Sequence, residues 1–318
     1  MKILYEGNSI TIHAHCTEAH VTATLRAMGH RVEFAAVQQR TTPELHGLLD
    51  GFQPDVFLLT RPWGTAPLAD AAFLEKCARL GVPTCGFHLD RFWQLPEREA
   101  WIRERSDPLF CLDVLFSTDD GPEWADAGIA HHWLPPAVFA PEAYDAEPNP
   151  DWQGRWDVGF VGSYGYHPEW PHRWQMVDHL REWYGDRFVH VGNGGDLGPL
   201  RGHDLNRFYA SVPVVVGDSC FAERGRAYWS DRVPETWGRG GFLIHPEVRA
   251  MGESLHEAAL PGYGWEPGKW DSLQFITDSW LAEAGERHAL RYDLAQEVRE
   301  RHTYTQRMEE LLGVVAAL

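Results

Sequence analysis

At 318 residues, with 44% hydrophobic, 13% aromatic and 23% charged side chains, the chain has ample material for packed cores, which excludes a disordered or low-complexity polymer. Its length exceeds the usual single-domain size, so two α/β units of roughly 150 residues each are the natural division, one large domain being the alternative. A formal net charge of −18 excludes a surface that grips polyanions indiscriminately, because such binding needs many Lys and Arg to neutralise phosphates, and leaves room only for a local basic cleft.

Lys2-Ile3-Leu4-Tyr5 reads as a first strand, followed by the turn-like Gly7-Asn8-Ser9 and a helix from His20 to Met28 that stops at Gly29. A strand over Arg31 to Ala35, a helix near Thr42 to Leu49, the strand Asp55 to Leu59, a helix through Ala69 to Leu80 and the strand Pro83 to Phe87 come next. Such alternation is what a parallel doubly wound sheet requires. Val114 to Ser117, a short helix around Gly121 to Ala127, and His132-Trp133-Leu134-Pro135 continue it. Residues 140 to 154, rich in Pro, Asp, Glu and Asn, then read as a linker.

A second series opens with the strand and glycine-bearing loop Trp156 to Ser163 and continues with a helix from Trp174 to Trp183 and a strand over Phe188 to Val191. Val214 to Val216, a helix from Arg232 to Trp237 and the strand Gly241 to His245 follow. Met308, Leu311, Leu312 and Val315 recur at helical spacing in a last helix. The predicted domains are 1–145, 150–300 and a terminal helix over 301–318.

Cys16, Cys77, Cys85, Cys111 and Cys220 are odd in number and far apart, without metal-ligand spacing. Buried free thiols in a reducing cytoplasm are expected. No charged leader with an apolar core opens the chain, and no apolar run is long enough for a membrane span.

The chemistry concentrates in Arg232-Val233-Pro234-Glu235-Thr236-Trp237-Gly238-Arg239-Gly240-Gly241, a carboxylate in a short helix five residues before a glycine, with a buried strand at once behind it. This segment resembles the donor site of GT-B glycosyltransferases, and in its R-x-x-E-x-x-x-x-G-G form it is similar to the spore-maturation CgeB-like family. Asp157 to Ser163, Arg173, Arg301 to Arg307 and Leu134 to Val138 resemble that family at the corresponding places, so the likeness covers most of residues 114 to 312. Residues 1 to 110 match only in coarse element order.

The resemblance implies two facing Rossmann-like domains with the last helix crossing back. The implied reaction is transfer of a hexose from a nucleotide-diphosphate sugar, a UDP-sugar in the first place, to an acceptor hydroxyl with retention. Glu235 holds the ribose hydroxyls in that family, and the glycine turn at Gly240 and Gly241 permits close backbone approach. The wider GT-B pattern carries a second Glu eight residues earlier, which here is Ala227. CgeB-like proteins commonly lack it too, and the donor sugar stays open.

The residue types suit this chemistry in their own right. Backbone N–H groups of a strand-to-helix loop with Gly159, Gly162 and Ser163 can receive a diphosphate, and Arg232 can neutralise the leaving group. Arg173 and the loop carrying Gly192 and Asn193 are further donor-side candidates. The plainer alternatives are an ion pair between Arg232 and Glu235, three apart on one helix, and ordinary tight turns at the glycines. In the first half, His88 and Asp90 follow a strand end, where open α/β sheets bind ligands, and are candidates for acceptor contact or proton transfer. His302 and Tyr304 read as packing residues. His13, His15 and His20 resemble a metal site in composition only, and Asp119-Asp120 lies in a loop, so no metal or obligatory cofactor is expected. A saccharide, a small molecule or a hydroxymethylated base in phage DNA are the conceivable acceptors, and a non-catalytic nucleotide or sugar-binding module is the reading from another class.

Overall fold

The structure, a computed structural model, describes residues 1–165, 172–219, 228, 230–248, 255, 260–264 and 269–318. Two units emerge from its packing: Met1–Pro135 together with Tyr304–Leu318, and Pro136–Thr303.

In the first unit, β1 (Lys2–Gly7), α1 (Thr17–Ala27), β2 (Arg31–Ala36), α2 (Thr42–Phe52), β3 (Val56–Leu59), α3 (Ala71–Leu80), β4 (Thr84–His88), α4 (Pro96–Glu104), β5 (Val114–Ser117), α5 (Glu123–Asp126) and β6 (His131–Trp133) follow one another. Local signals set the helix starts. Thr41 and Glu44 form a capping box on α2, the backbone N–H of Thr41 donating to Glu44 at 2.7 Å, and Asp70 caps α3 by accepting from the Phe73 N–H at 2.8 Å. The sheet is parallel, in the order β2-β1-β3-β4-β5-β6. Its inner strands are buried almost throughout because helices cover both faces, and Leu4, Phe57, Phe73, Phe110, Leu115 and Trp124 share one core. α11 (Tyr304–Val315) belongs to this unit and packs on α1.

The second unit contains β7 (Val158–Val161), α6 (His172–Tyr184), β8 (Phe188–Val191), α7 (Gly202–Ser211), β9 (Val214–Val216), α8 (Arg232–Gly238), β10 (Leu243–Pro246), β11 (Gly262–Tyr263), α9 (Asp271–Ala282) and α10 (Ala284–Arg301). Its parallel sheet runs β11-β10-β9-β7-β8. Val158, Phe160, Met176, Leu180, Val214 and Ile244 pack its core. In both sheets the first strand of the series lies between the second and the third. Each therefore has a topological switch point, the place where open α/β sheets bind ligands beyond their carboxyl ends.

Two expectations need correction. Residues 140 to 154, read as a linker, belong to the second unit and are held within it: the carbonyls of Glu142 and Tyr144 accept from Asn206 Nδ2 at 2.8 and 3.0 Å, and Asp145 accepts from Arg299 Nη1 at 2.9 Å. That hydrogen bond outweighs burial and holds the Asp145 carboxyl below its ordinary range. Composition reads exposure, and these polar groups spend themselves on neighbours far off in sequence. The thiols are not uniformly buried. Cys77 and Cys85 are, whereas Cys16 is half-buried and Cys111 exposed, while Cys220 and Ala227 lie outside the described residues. Among those residues no helix is long and apolar enough to cross a membrane.

Candidate functional site

In the second unit the switch point falls between β7 and β9, and the chain leaves these strands as Gly162-Ser163 and Gly217-Asp218. Arg232, the first residue of α8, spans both ends. Its Nε donates to the Val161 carbonyl at 2.8 Å, and its Nη1 to Asp218 Oδ1 at 2.7 Å and to the Asp218 carbonyl at 3.3 Å. From α6, Arg173 donates through Nε to the other oxygen of Asp218 at 2.6 Å and through Nη1 to the Ser163 carbonyl at 3.4 Å. Both guanidiniums lie over the Phe160 ring, at 5.2 and 5.9 Å from its centroid.

Asp218 is buried. Burial by itself raises its pKa, but Arg173 and Arg232 outweigh that and hold the carboxyl below its ordinary range, so it is ionised. Asp218 is thus shared by two guanidiniums. Nη2 of Arg232 has no hydrogen-bond partner among the described residues and lies 2.8 Å from where a Cβ on Gly162 would stand. A side chain at 162 would displace it.

The loops after β7 and β8 are tied together. Gly162 N–H donates to the Val191 carbonyl at 2.9 Å and Tyr164 N–H to the Asn193 carbonyl at 3.0 Å. His190 Nε2 donates to the Gly162 carbonyl at 2.7 Å, with burial lowering the pKa of its ring and keeping it neutral. Gly192, at φ +141°, would place a Cβ 2.1 Å from the Gly162 oxygen, so this approach of two backbones is closed to any other residue. Thus Gly162, Ser163, Arg173, Gly192, Asn193 and Arg232 come together around the ends of β7, β8 and β9. Gly159 lies elsewhere, inside β7, where a Cβ would meet the Phe208 ring at 2.9 Å; its geometry is that of strand-to-helix packing.

Arg232 and Glu235 do not pair with each other. Glu235 is bound one turn further on, its Oε2 3.2 Å from Nε of Arg239. Arg239, almost wholly buried, also pairs with Glu142 and donates to Asn206 Oδ1 at 2.8 Å. Burial raises the Glu235 pKa, Arg239 opposing it only in part. With one carboxylate oxygen anchored, the other has no protein partner among the described residues and can accept hydroxyl hydrogen bonds. Gly240 and Gly241 pack the turn into β10, against Asp145 and Thr236 respectively.

Sequence reasoning misses three polar residues at these strand ends. Besides Asp218 they are Ser219 and His245, both buried, and Oγ of Ser219 has no hydrogen-bond partner among the described residues. Burial pushes the His245 imidazole down to about 4, and its Nδ1 lies 2.9 Å from the Pro246 carbonyl. The signal available was the abrupt change from Val214-Val215-Val216 to Gly217-Asp218-Ser219.

His88 and Asp90 belong to the first unit, at the end of β4, with His88 Nε2 3.4 Å from Asp90 Oδ2. They line a cavity of about 590 Å³ formed entirely within that unit. The terminal residues pack: the His302 carbonyl accepts from Val138 N–H at 3.0 Å, and the buried Arg307 donates through Nε to the Pro135 carbonyl at 2.7 Å. Asp119 holds a turn, accepting from the N–H groups of Phe92 and Trp93 at 2.8 Å each.

Residues 173–313, which include Arg173, Asp218, Arg232 and Glu235, match the model of a family described as glycosyl transferase-like. Among solved structures, HepE of Anabaena in complex with UDP and glucose superposes with a TM-score of 0.67 at 12% identity over 100% of both chains. The fold is GT-B. A UDP-forming α,α-trehalose-phosphate synthase from Burkholderia xenovorans gives 0.66 at 12% identity, covering 99% of this chain and 98% of that one. A trehalose-6-phosphate synthase studied for glycosyl transfer with retention gives 0.63 at 11%, covering 100% and 99%. A sequence search of curated proteins finds no match. At such identities the shared property is the GT-B fold itself.

Proposed function

We propose that this GT-B chain is a CgeB-like glycosyltransferase that moves a hexose from a UDP-sugar to an acceptor hydroxyl with retention, in the cytoplasm. The observation that carries the reading is Arg232, fixed to the ends of both switch-point strands by Val161 and Asp218 with Nη2 beside Gly162. A fixed cation at a glycine loop is what a departing diphosphate requires, because it meets the developing charge without reorganising. Glu235 accepts the ribose hydroxyls through the oxygen that Arg239 leaves open.

In the step itself the bond from the anomeric carbon to the diphosphate oxygen breaks, its electron pair leaving with UDP. The acceptor oxygen bonds to the same carbon from the same face. The acceptor proton passes to the departing phosphate oxygen, so no separate base is needed, and Arg232 with the loop amides stabilises the diphosphate without an obligatory metal. The likeness to HepE, seen with UDP and glucose, and to a synthase studied for retention supports donor class and stereochemistry.

Thermal-shift measurement with UDP, GDP, ADP, CDP and TDP tests the reading, since a ligand of the folded state must raise its stability. UDP should raise the melting temperature of the natural protein and not that of Glu235→Ala. No shift with any nucleotide would sink it.

A further inference from the structure

The backbone groups at the end of β7 are engaged in turn, with one left over. The Val161 carbonyl accepts from Nε of Arg232 at 2.8 Å, and the Gly162 N–H donates to the Val191 carbonyl at 2.9 Å. One residue on, the Ser163 carbonyl accepts from Nη1 of Arg173 at 3.4 Å, and the Tyr164 N–H donates to the Asn193 carbonyl at 3.0 Å. Between them the Gly162 carbonyl is taken by a side chain, Nε2 of His190 at 2.7 Å. What remains is the Ser163 N–H, which makes no hydrogen bond among the described residues.

We propose that His190 is a positioning residue for diphosphate binding: by holding the Gly162 carbonyl it turns the Ser163 N–H toward the Arg232 side, where that N–H donates to a diphosphate oxygen. The diphosphate's belonging to a nucleotide sugar rests on the glycosyltransferase reading; the orientation of the peptide does not.

The Gly162–Ser163 peptide is planar and trans, so its C=O and N–H point in opposite directions. His190 lies on β8, and a carbonyl fixed toward β8 sends the N–H away from it. Strand geometry gives the same answer. Successive residues of a strand turn their backbone groups to opposite neighbours, and β7 lies between β8 and β9. Gly162 faces β8 through Val191, so Val161 and Ser163 face β9. The Val161 carbonyl is indeed taken by Arg232, which also binds Asp218 beyond β9. Nη2 of Arg232 lies 2.8 Å from where a Cβ on Gly162 would stand, so a guanidinium nitrogen and a peptide N–H flank one glycine as hydrogen-bond donors for an anion.

The ring can serve in one state only. A carbonyl has no proton to give, so Nε2 of His190 carries the hydrogen and Nδ1 is bare. That Nδ1 is buried without a partner, and burial lowers the pKa of the ring, because a second proton would be a charge out of reach of water. Neighbours fix the residue: the ring lies 5.3 Å from that of Phe160 and 6.1 Å from that of Tyr164, and the His190 N–H donates to Asp196 at 2.9 Å. Packing alone asks for no nitrogen here. A phenyl ring would fill the same place without an unsatisfied polar atom, so the imidazole is explained by the carbonyl it holds.

The experiment is NMR on the isotope-labelled full chain, titrated with inorganic diphosphate in the absence of metal. The Ser163 amide proton should move downfield, as an N–H that gains an anionic acceptor does, and the His190 ring should carry its proton on Nε2 alone. Affinities for inorganic diphosphate, UDP and uridine then separate positioning from packing. His190→Phe should weaken diphosphate and UDP about tenfold each and leave uridine unchanged, whereas His190→Gln, whose amide N–H reaches for the same carbonyl, should recover most of the loss. A merely structural role would weaken uridine as well. A Ser163 amide unmoved by diphosphate, a ring proton on Nδ1, diphosphate affinity indifferent to His190→Phe, or His190→Gln no better than His190→Phe would each overturn the proposal. Failure of UDP to bind while diphosphate still moves the Ser163 amide would instead sink the glycosyltransferase reading and support the role of His190.

Discussion

Asp218 holds Arg232 by side chain and backbone together, Oδ1 at 2.7 Å and the carbonyl at 3.3 Å from the same Nη1, while its second oxygen takes Arg173 at 2.6 Å. One buried carboxylate thus orients two guanidiniums. Asp218→Asn should cost on the order of 3 kcal/mol of stability, because it leaves both cations without their anion, and should lower UDP affinity as Arg232 relaxes. Urea unfolding and nucleotide titration of the variant check this. The contribution is present above the ordinary aspartate range and is lost as pH falls through the depressed pKa.

Removal of Arg232 should act mainly on turnover. If it meets the charge on the leaving diphosphate, Arg232→Ala should lower kcat by about a hundredfold to a thousandfold, with a smaller change in donor affinity. Arg232→Lys should recover little, since one ammonium cannot reach Val161 and Asp218 and still face Gly162. Steady-state kinetics with UDP-glucose and an active acceptor separate the two effects.

Two glycines with positive φ should behave differently on substitution. Gly154, at φ +72°, has nothing within 4 Å of an added Cβ, whereas Gly192, at φ +141°, would drive one to 2.1 Å from the Gly162 oxygen. Gly154→Ala should therefore cost about 1 kcal/mol, the backbone term alone. Gly192→Ala should cost about 3 kcal/mol or more and part the two loops around Arg232. Denaturant titration of the pair measures the difference, and loss of the UDP shift in Gly192→Ala alone would tie it to the site.

Glu6 supplies a pH dependence. Burial is the main cause that raises its carboxyl from 4.5 to about 7, Asp107 adding to it against the N–H groups of Leu68 and Ala69. An acid with a raised folded-state pKa stabilises most below its unfolded value and loses that contribution as pH rises from 4.5 to about 7. The loss amounts to about 3 kcal/mol. Glu6→Gln, which keeps a carbonyl for the loop N–H groups, should flatten this part of the profile, and unfolding free energies of both proteins across the interval show whether it does.

Strand positions and the helix, turn and strand from Arg232 onward were legible because they are written locally. Val56 to Leu59 and Val214 to Val216 are short apolar runs bounded by turn residues, and Arg232 to Gly241 carries its carboxylate and glycines in one stretch. Helices that bury little were not legible: α4 buries only Ile102, and the 18 residues of α10 bury only Leu294, Ala295 and Val298. With no apolar stripe there is no period to read. Asp218 was missed for another reason. Its role exists only through Arg173 and Arg232, 45 and 14 residues away, and no local pattern marks a carboxylate as the meeting point of two distant cations. Glu235 shows the converse, a residue whose neighbour at helical spacing is chosen by the fold: of Arg232 and Arg239, only the second pairs with it.

The first unit is built from both ends of the described chain, with Tyr304–Leu318 returning to Met1–Pro135. His20 on α1 stands 6.0 Å, ring to ring, from Tyr304, and Arg307 closes on the Pro135 carbonyl. During synthesis the second unit therefore emerges whole while the first still lacks α11, so the order in which the units become complete reverses their order in sequence. Until α11 leaves the ribosome, the face of α1 on which it packs stands uncovered on a nascent chain.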